Sequence, residues 1–277
     1  ELAFLPIALS KLAKGDFEGA LETYGQLEQT GPSGAALARF GRADLEMYRG
    51  RYRDALKILE EAILLDQKAG NTGMLAQDHV AAAEAYLAVG DKKRAVAAAR
   101  KAAALSSHES VLLPAALVLI QAGQDAEAEK IALALDNMLQ SHTTAYARLI
   151  RAEIAAVKGR YGEAIELLRD SIKRRDTWFA RFLLGKLYAE TDHFAEAMAE
   201  LDLGLKRRGE TTDVFFYDTP SLRYLPPAYY WLARAQQETG VADAAKSYGQ
   251  FLALRETADP PDPLAKDARR RVSAPAR

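Results

Sequence analysis

The side chains that could do chemistry in this 277-residue chain are few and scattered. There are four histidines, His79, His108, His142 and His193, and no cysteine. No two histidines stand in a His-x-x-x-His spacing, and without thiolates nothing completes a recognisable zinc set. Ser107-His108-Glu109 and Ser141-His142 are suggestive only locally, because a nucleophile, its base and the orienting acid are assembled in space rather than along the sequence. Leu184-Gly185-Lys186-Leu187 lacks the upstream glycine and the Ser or Thr after lysine that a phosphate-cradling loop needs. The expectation is therefore no catalytic, cofactor-binding or metal-binding residue, and a chain that is not an enzyme.

Binding chemistry has better candidates. Lys173-Arg174-Arg175 and Lys206-Arg207-Arg208 lie 33 residues apart and could stack into one patch for an acidic or phosphorylated partner. Equally, both could close the last turn of a helix, where cations complement the dipole. Residues 211–226 hold Phe215, Phe216, Tyr217 and Tyr224 together with two prolines, and read as an extended, non-helical insertion. So many aromatics need a cover, either the chain itself or a partner. A net charge of −1 predicts no bulk attraction to nucleic acid or anionic lipid. No apolar run approaches the roughly 20 residues that cross a bilayer; the longest, Val111 to Ile120, contains Pro114.

The elements that must position these groups follow one register. Turn residues recur at Gly15, Gly50, Gly90, Gly123, Gly159, Asp192 and Gly240. Seven positions earlier stand Ala8, Ala43, Ala83, Ala116, Ala152, Gly185 and Ala233. Five positions later stand Ala20, Ala55, Ala95, Ala128, Ala164, Ala197 and Ala245. Small residues at matched slots let two helices approach closely, so each unit predicts a helix, a tight turn and a second helix packed on the first. Asp16 and Asp91, just after their turns, are placed to cap second helices. After Asp259-Pro260-Pro261-Asp262-Pro263, the recurrence of Leu264, Ala268 and Val272 predicts one amphipathic helix over the end of the stack.

These residues resemble the tetratricopeptide repeat, most closely at Leu184, Gly185, Tyr188, Phe194 and Ala197 and at Gly15, Phe17, Ala20, Tyr24 and Pro32. The resemblance implies an all-α, right-handed superhelical solenoid of about seven helical hairpins with a C-terminal capping helix. The expected solenoid spans 1–256, with repeats near 1–32, 35–68, 74–107, 110–140, 143–176, 177–210 and 227–256. The insertion 211–226 separates the last two, and 257–277 forms a Pro-rich linker and the cap.

The resemblance also implies a concave groove lined by first helices. Six residues before each turn lie Leu9, Asp44, Glu84, Leu117, Glu153, Lys186 and Arg234, so the groove would be acidic early and basic in its last two repeats. The candidate partner-binding residues are Asp44, Glu84, Glu153, Lys186, Arg234, Phe215, Phe216, Tyr217, Tyr224, Arg174 and Arg207. Family members that clamp a terminal carboxylate use Asn and Lys or Arg in this groove; Asp44 and Glu84 here argue against that clamp. The implied function is a protein–protein interaction scaffold or regulatory module, with a protein or peptide partner, no nucleic acid, no membrane insertion and no cofactor. The alternative is a ligand- or peptide-sensing domain of a larger bacterial signalling protein, to which Tyr229 to Arg271 is similar. Because the first residue is Glu1 rather than Met, a fragment or processed product is expected, cytoplasmic, or periplasmic if a signal or anchor precedes it.

Overall fold

The computed structural model describes residues 3–211 and 222–273. Among them lie fifteen α-helices and no strand. They are α1 Phe4–Ala13, α2 Phe17–Glu28, α3 Pro32–Tyr48, α4 Tyr52–Ala69, α5 Thr72–Ala88, α6 Lys92–Leu105, α7 Glu109–Gln121 and α8 Asp125–Asn137. The series continues with α9 Ser141–Val157, α10 Tyr161–Arg174, α11 Trp178–Glu190, α12 Phe194–Lys206, α13 Leu225–Glu238, α14 Ala244–Leu254 and α15 Pro263–Ser273. Successive helices pair as hairpins, α1 with α2 through α13 with α14, and neighbouring hairpins stack into a solenoid with one continuous main core. No helix among the described residues is long and apolar enough to cross a membrane.

The register explains the hairpins. Every turn residue has a positive φ, from 62° at Asp192 to 86° at Gly90, the left-handed conformation that reverses the chain within one residue. The small residues then sit at helix crossings: Ala8, Ala43, Ala83, Ala116, Ala152 and Ala233 on first helices are all 0% exposed. Gly185 takes this place on α11, where an added Cβ would lie 2.6 Å from Leu201 Cγ of α12. Asp16 and Asp91 cap α2 and α6 as expected, accepting from Gly19 N (2.9 Å) and Arg94 N (3.0 Å). Asp192 is the one turn residue that is not glycine. Asp192→Gly is expected to stabilise the protein by roughly 0.5–1 kcal/mol, since only glycine adopts this backbone freely. Its 3.9 Å pair with Arg234 is too exposed to offset much. Chemical denaturation checks this, and a loss of stability would show that the pair outweighs the backbone.

Three expectations need correction. Ala245 is exposed, because α14 starts at Ala244, four residues after Gly240, whereas the other second helices start two residues after their turns. Ser247, Tyr248 and Phe251 bury that helix instead. Val272 is 50% exposed, so α15 buries Ala265 and Ala268 rather than a stripe ending at Val272. The segment read as extended is helical where it is described: Arg208–Thr211 and Leu222–Tyr224 form 3-10 turns, and the second runs straight into α13. Phe215, Phe216 and Tyr217 lie outside the described residues.

The solenoid also closes on itself. Beyond α14 the chain returns to the turn between α3 and α4. There Asp259 N donates to Gly50 O (2.9 Å), and Asp259 Oδ2 accepts from Arg53 N (2.7 Å). That carboxylate supplies the N-terminal cap that α4 lacks, since Arg51 stands where Asp16 and Asp91 serve α2 and α6. Arg255, 3% exposed, reaches Met47 O and Tyr52 OH, each at 3.5 Å. On the other side α15 is tied to α13 by Tyr230 OH donating to Asp267 (2.8 Å) and Arg271 pairing with Glu238 (3.0 Å).

Candidate functional site

First helices present their inward residues to the middle of this closed turn. Asp44 on α3 and Glu84 on α5 occupy the same slot of successive hairpins, so stacking brings their carboxylates together. Neither is open to solvent: Asp44 is 8% exposed, and the Glu84 side chain 11%. Both face Arg223, from the 3-10 turn before α13. Its Nη1 lies 3.4 Å from Asp44 Oδ1 and its Nε 3.1 Å from Glu84 Oε2. Met47 Sδ accepts from Nη1 at 3.7 Å, and the guanidinium lies 5.9 Å from the Tyr224 ring centre. Tyr224 in turn packs against Phe179 of α11 at 4.9 Å.

Electrostatics in this cluster follow from burial. Desolvation pushes the Asp44 carboxyl up, with Arg223 opposing it. For Glu84, burial raises the carboxyl to about 7 against the pull of Arg223, with Asp44 adding to the rise. Beside the cluster is a cavity of about 240 Å³ lined by Met47, Tyr52, Glu84, Leu87, Leu117, Gln121, Arg223 and Tyr224. Arg223 Nη2 and Tyr224 OH are buried with no hydrogen-bond partner among the described residues.

The later hairpins are more open. Glu153 on α9, Lys186 on α11 and Arg234 on α13 are all half-buried. Lys186 Nζ is 3.9 Å from Glu190. Burial alone would lower its pKa, but the Glu153 and Glu190 carboxylates outweigh that and hold it above its ordinary value. Arg234 lies over the Trp231 ring at 5.4 Å, with Asp192 at 3.9 Å. Such long ion pairs leave donors available to another acceptor.

The two basic runs are engaged within the chain. Arg174 donates to Asp170 (2.9 Å), and Arg207 pairs with Asp176 (2.6 Å) and Glu210 (2.7 Å). Asp176 also pairs with Arg181 of α11 at 2.7 Å. His108 Nδ1 meets Ser110 Oγ at 2.8 Å rather than Ser107, and Gln77 of α5 donates to the same hydroxyl at 2.8 Å. Ser110 is 1% exposed, so this contact links α5 to α7 inside the core rather than presenting a nucleophile. His142 lies 3.3 Å from Glu109. Among the described residues no group of three or more His, Cys, Asp or Glu side chains is placed to hold a metal ion.

Register alone found Asp44, Glu84, Glu153, Lys186 and Arg234. It missed Arg223, whose partners lie 179 and 139 residues away in sequence (223 − 44 and 223 − 84). The visible signal was a lone arginine amid apolar and aromatic neighbours in Leu222-Arg223-Tyr224-Leu225, opposite two acidic slots.

No family model matches the chain, and no curated protein sequence matches it. Solved structures do. A tetratricopeptide repeat protein from Parabacteroides merdae ATCC 43184 aligns over 98% of both chains with a TM-score of 0.54 at 18% identity. A chain of the APC/C hetero-tetramer Cut9-Hcn1 aligns with 96% of this one at 14% identity and a TM-score of 0.50. This chain spans 48% of that longer one. The hairpin stack, the left-handed turn residues, the buried small-residue slots and these superpositions agree: the chain has the tetratricopeptide-repeat fold.

Proposed function

We propose that this chain is a protein–protein interaction module, a scaffold or regulatory arm that holds a partner segment against its concave face and is not itself a catalyst. The observation that carries this reading is the inward row on the later hairpins, where Lys186 and Arg234 are half-buried and their ion pairs among the described residues are long, 3.9 Å each. Cations so placed are desolvated enough to be worth something to a partner carboxylate and open enough to be reached by one. The chain of the Cut9-Hcn1 hetero-tetramer that shares this fold is itself part of a protein complex, in keeping with the same use.

Charge reversal at both positions is the test. The chain as bait is expected to recover one partner at stoichiometric amounts, and the double variant Lys186→Glu, Arg234→Glu to weaken that complex by roughly tenfold or more, mainly through slower association. Equal affinity of variant and wild type would move the interface elsewhere.

A second reading, a sensor for a small molecule or peptide, is favoured by the cavity of about 240 Å³ with Arg223 Nη2 and Tyr224 OH beside it, unpaired among the described residues. A metabolite that raises the melting temperature without any protein partner would support the sensor over the scaffold.

A further inference from the structure

We propose that Asp44 and Glu84 form a guanidinium-binding slot whose external ligand is an arginine side chain of the partner, and that Arg223 occupies the slot as an internal stand-in. This rests on the interaction-module reading and names the chemistry of one anchor within it.

The slot is made by the repeat. Asp44 and Glu84 hold equivalent positions on α3 and α5, and two carboxylates on stacked helices face one planar cation (3.4 Å and 3.1 Å). Its occupant comes from elsewhere. Arg223 belongs to the 3-10 turn Leu222–Tyr224, in the segment that departs from the helical register. Two buried carboxylates side by side need a cation, so the slot exchanges one guanidinium for another rather than standing empty.

The internal fit is imperfect. Asp44 Oδ1, Glu84 Oε2 and Arg223 Nε and Nη2 are all buried without an aligned hydrogen bond among the described residues, although the two ion pairs are close. An arginine entering at a free approach angle could make the forked, paired contacts that this turn does not allow Arg223 to make. The adjoining cavity of about 240 Å³ gives it room, and Leu87 and Leu117 offer apolar surface for its methylenes. Lysine would match less well, since one ammonium cannot span two carboxylates as a planar fork does. Self-occupancy also sets the affinity: the wild-type chain binds an arginine ligand only in proportion to the fraction of time Arg223 is out of the slot.

The purified chain and its Arg223→Gly variant test this without any partner. The variant is expected to melt below the wild type. N-ethylguanidinium should restore its melting temperature saturably, ethylammonium at the same concentration should not, and neither should move the wild type. A labelled Gly/Ser peptide with a single arginine should then bind the variant about tenfold tighter than the wild type, and its lysine counterpart should bind the variant more weakly. If the variant does not fold, amide hydrogen exchange on the wild type serves instead. Excess arginine peptide should speed exchange at residues 222–225, and the lysine peptide should not. Absence of guanidinium-specific rescue, or unchanged exchange at millimolar arginine peptide, overturns the proposal and makes Arg223 a structural staple. Rescue alongside failed partner capture would leave the slot standing while removing the interaction-module reading.

Discussion

Asp78→Asn is expected to raise the melting temperature by roughly 10 °C at pH 8 and to leave it nearly unchanged at pH 4. Asp78 is 0% exposed on α5, and no N–H or hydroxyl donor among the described residues reaches either of its buried carboxylate oxygens, which face the Asp66 carboxylate. Burial first, then the charge of Asp66 on α4 and a hydrogen bond shared with it, raise this carboxyl from 3.8 to about 8, with Arg39 of α3 opposing. Arg39 is itself 3.9 Å from Asp66, which also accepts from Asn71 at 3.1 Å. Folded Asp78 therefore keeps its proton in a range where the unfolded chain has lost it. Stability is fully present below about pH 4, declines as pH rises, and has been lost once pH passes about 8. The cost at pH 8 is on the order of 5 kcal/mol. Asparagine removes the ionisation and can donate to Asp66. His79 next to it acts in the opposite sense. Burial and then Lys101 lower its imidazole to about 4, so its contribution is lost as pH falls from 6.5 through 4. Because both proteins carry His79, the difference between variant and wild type isolates Asp78. A difference that does not grow from pH 5 to pH 8 would show that Asp78 is ionised in the fold.

How much of this was legible in the sequence depends on the reach of each contact. The hairpins were legible, because a left-handed turn residue and two small residues act within about a dozen positions. Ala128, Ala132 and Leu135 are 0% exposed even though no aromatic residue stands at the start of α8. The register failed at Ala245 because α14 begins two residues later than the pattern demands, and spacing cannot report where a helix starts. Closure of the solenoid was not legible. Its contacts join residues such as Gly50 with Asp259 and Asp44 with Arg223, and no periodic signal spans those separations. The missing cap of α4 is no signal of it either, because Arg160 leaves α10 uncapped in the same way as Arg51 leaves α4.

Closure changes what the groove can do. In an open solenoid, the charge gradient from Asp44 to Arg234 would run along one continuous strip. Here the acidic slots face an arginine from the segment before α13, and the half-buried cations of α11 and α13 are the reachable part of the row. A partner that engages the whole row must displace the turn holding Arg223. The energy it needs is the energy of that contact, not of the entire ring.

Gly50 offers a direct measure of the ring's own contribution. Gly50 and Gly90 have φ of 77° and 86°, so alanine at either carries the same backbone penalty of about 1 kcal/mol. Their surroundings differ. A Cβ at Gly90 meets nothing within 4 Å, whereas one at Gly50 would collide with Arg255 Nη1 and lie 2.8 Å from Ala258 Cβ. Gly50→Ala must therefore push away the segment whose Asp259 caps α4, adding roughly 1–3 kcal/mol of overpacking and lost capping. The expected result is that Gly90→Ala lowers stability by about 1 kcal/mol and Gly50→Ala by about 2–4 kcal/mol. Only the Gly50 variant should also show a larger radius of gyration in solution scattering, as the C-terminal segment leaves the second hairpin. Equal losses with unchanged radii would mean that the return of residues 255–263 contributes little, and that the solenoid is held by its hairpins alone.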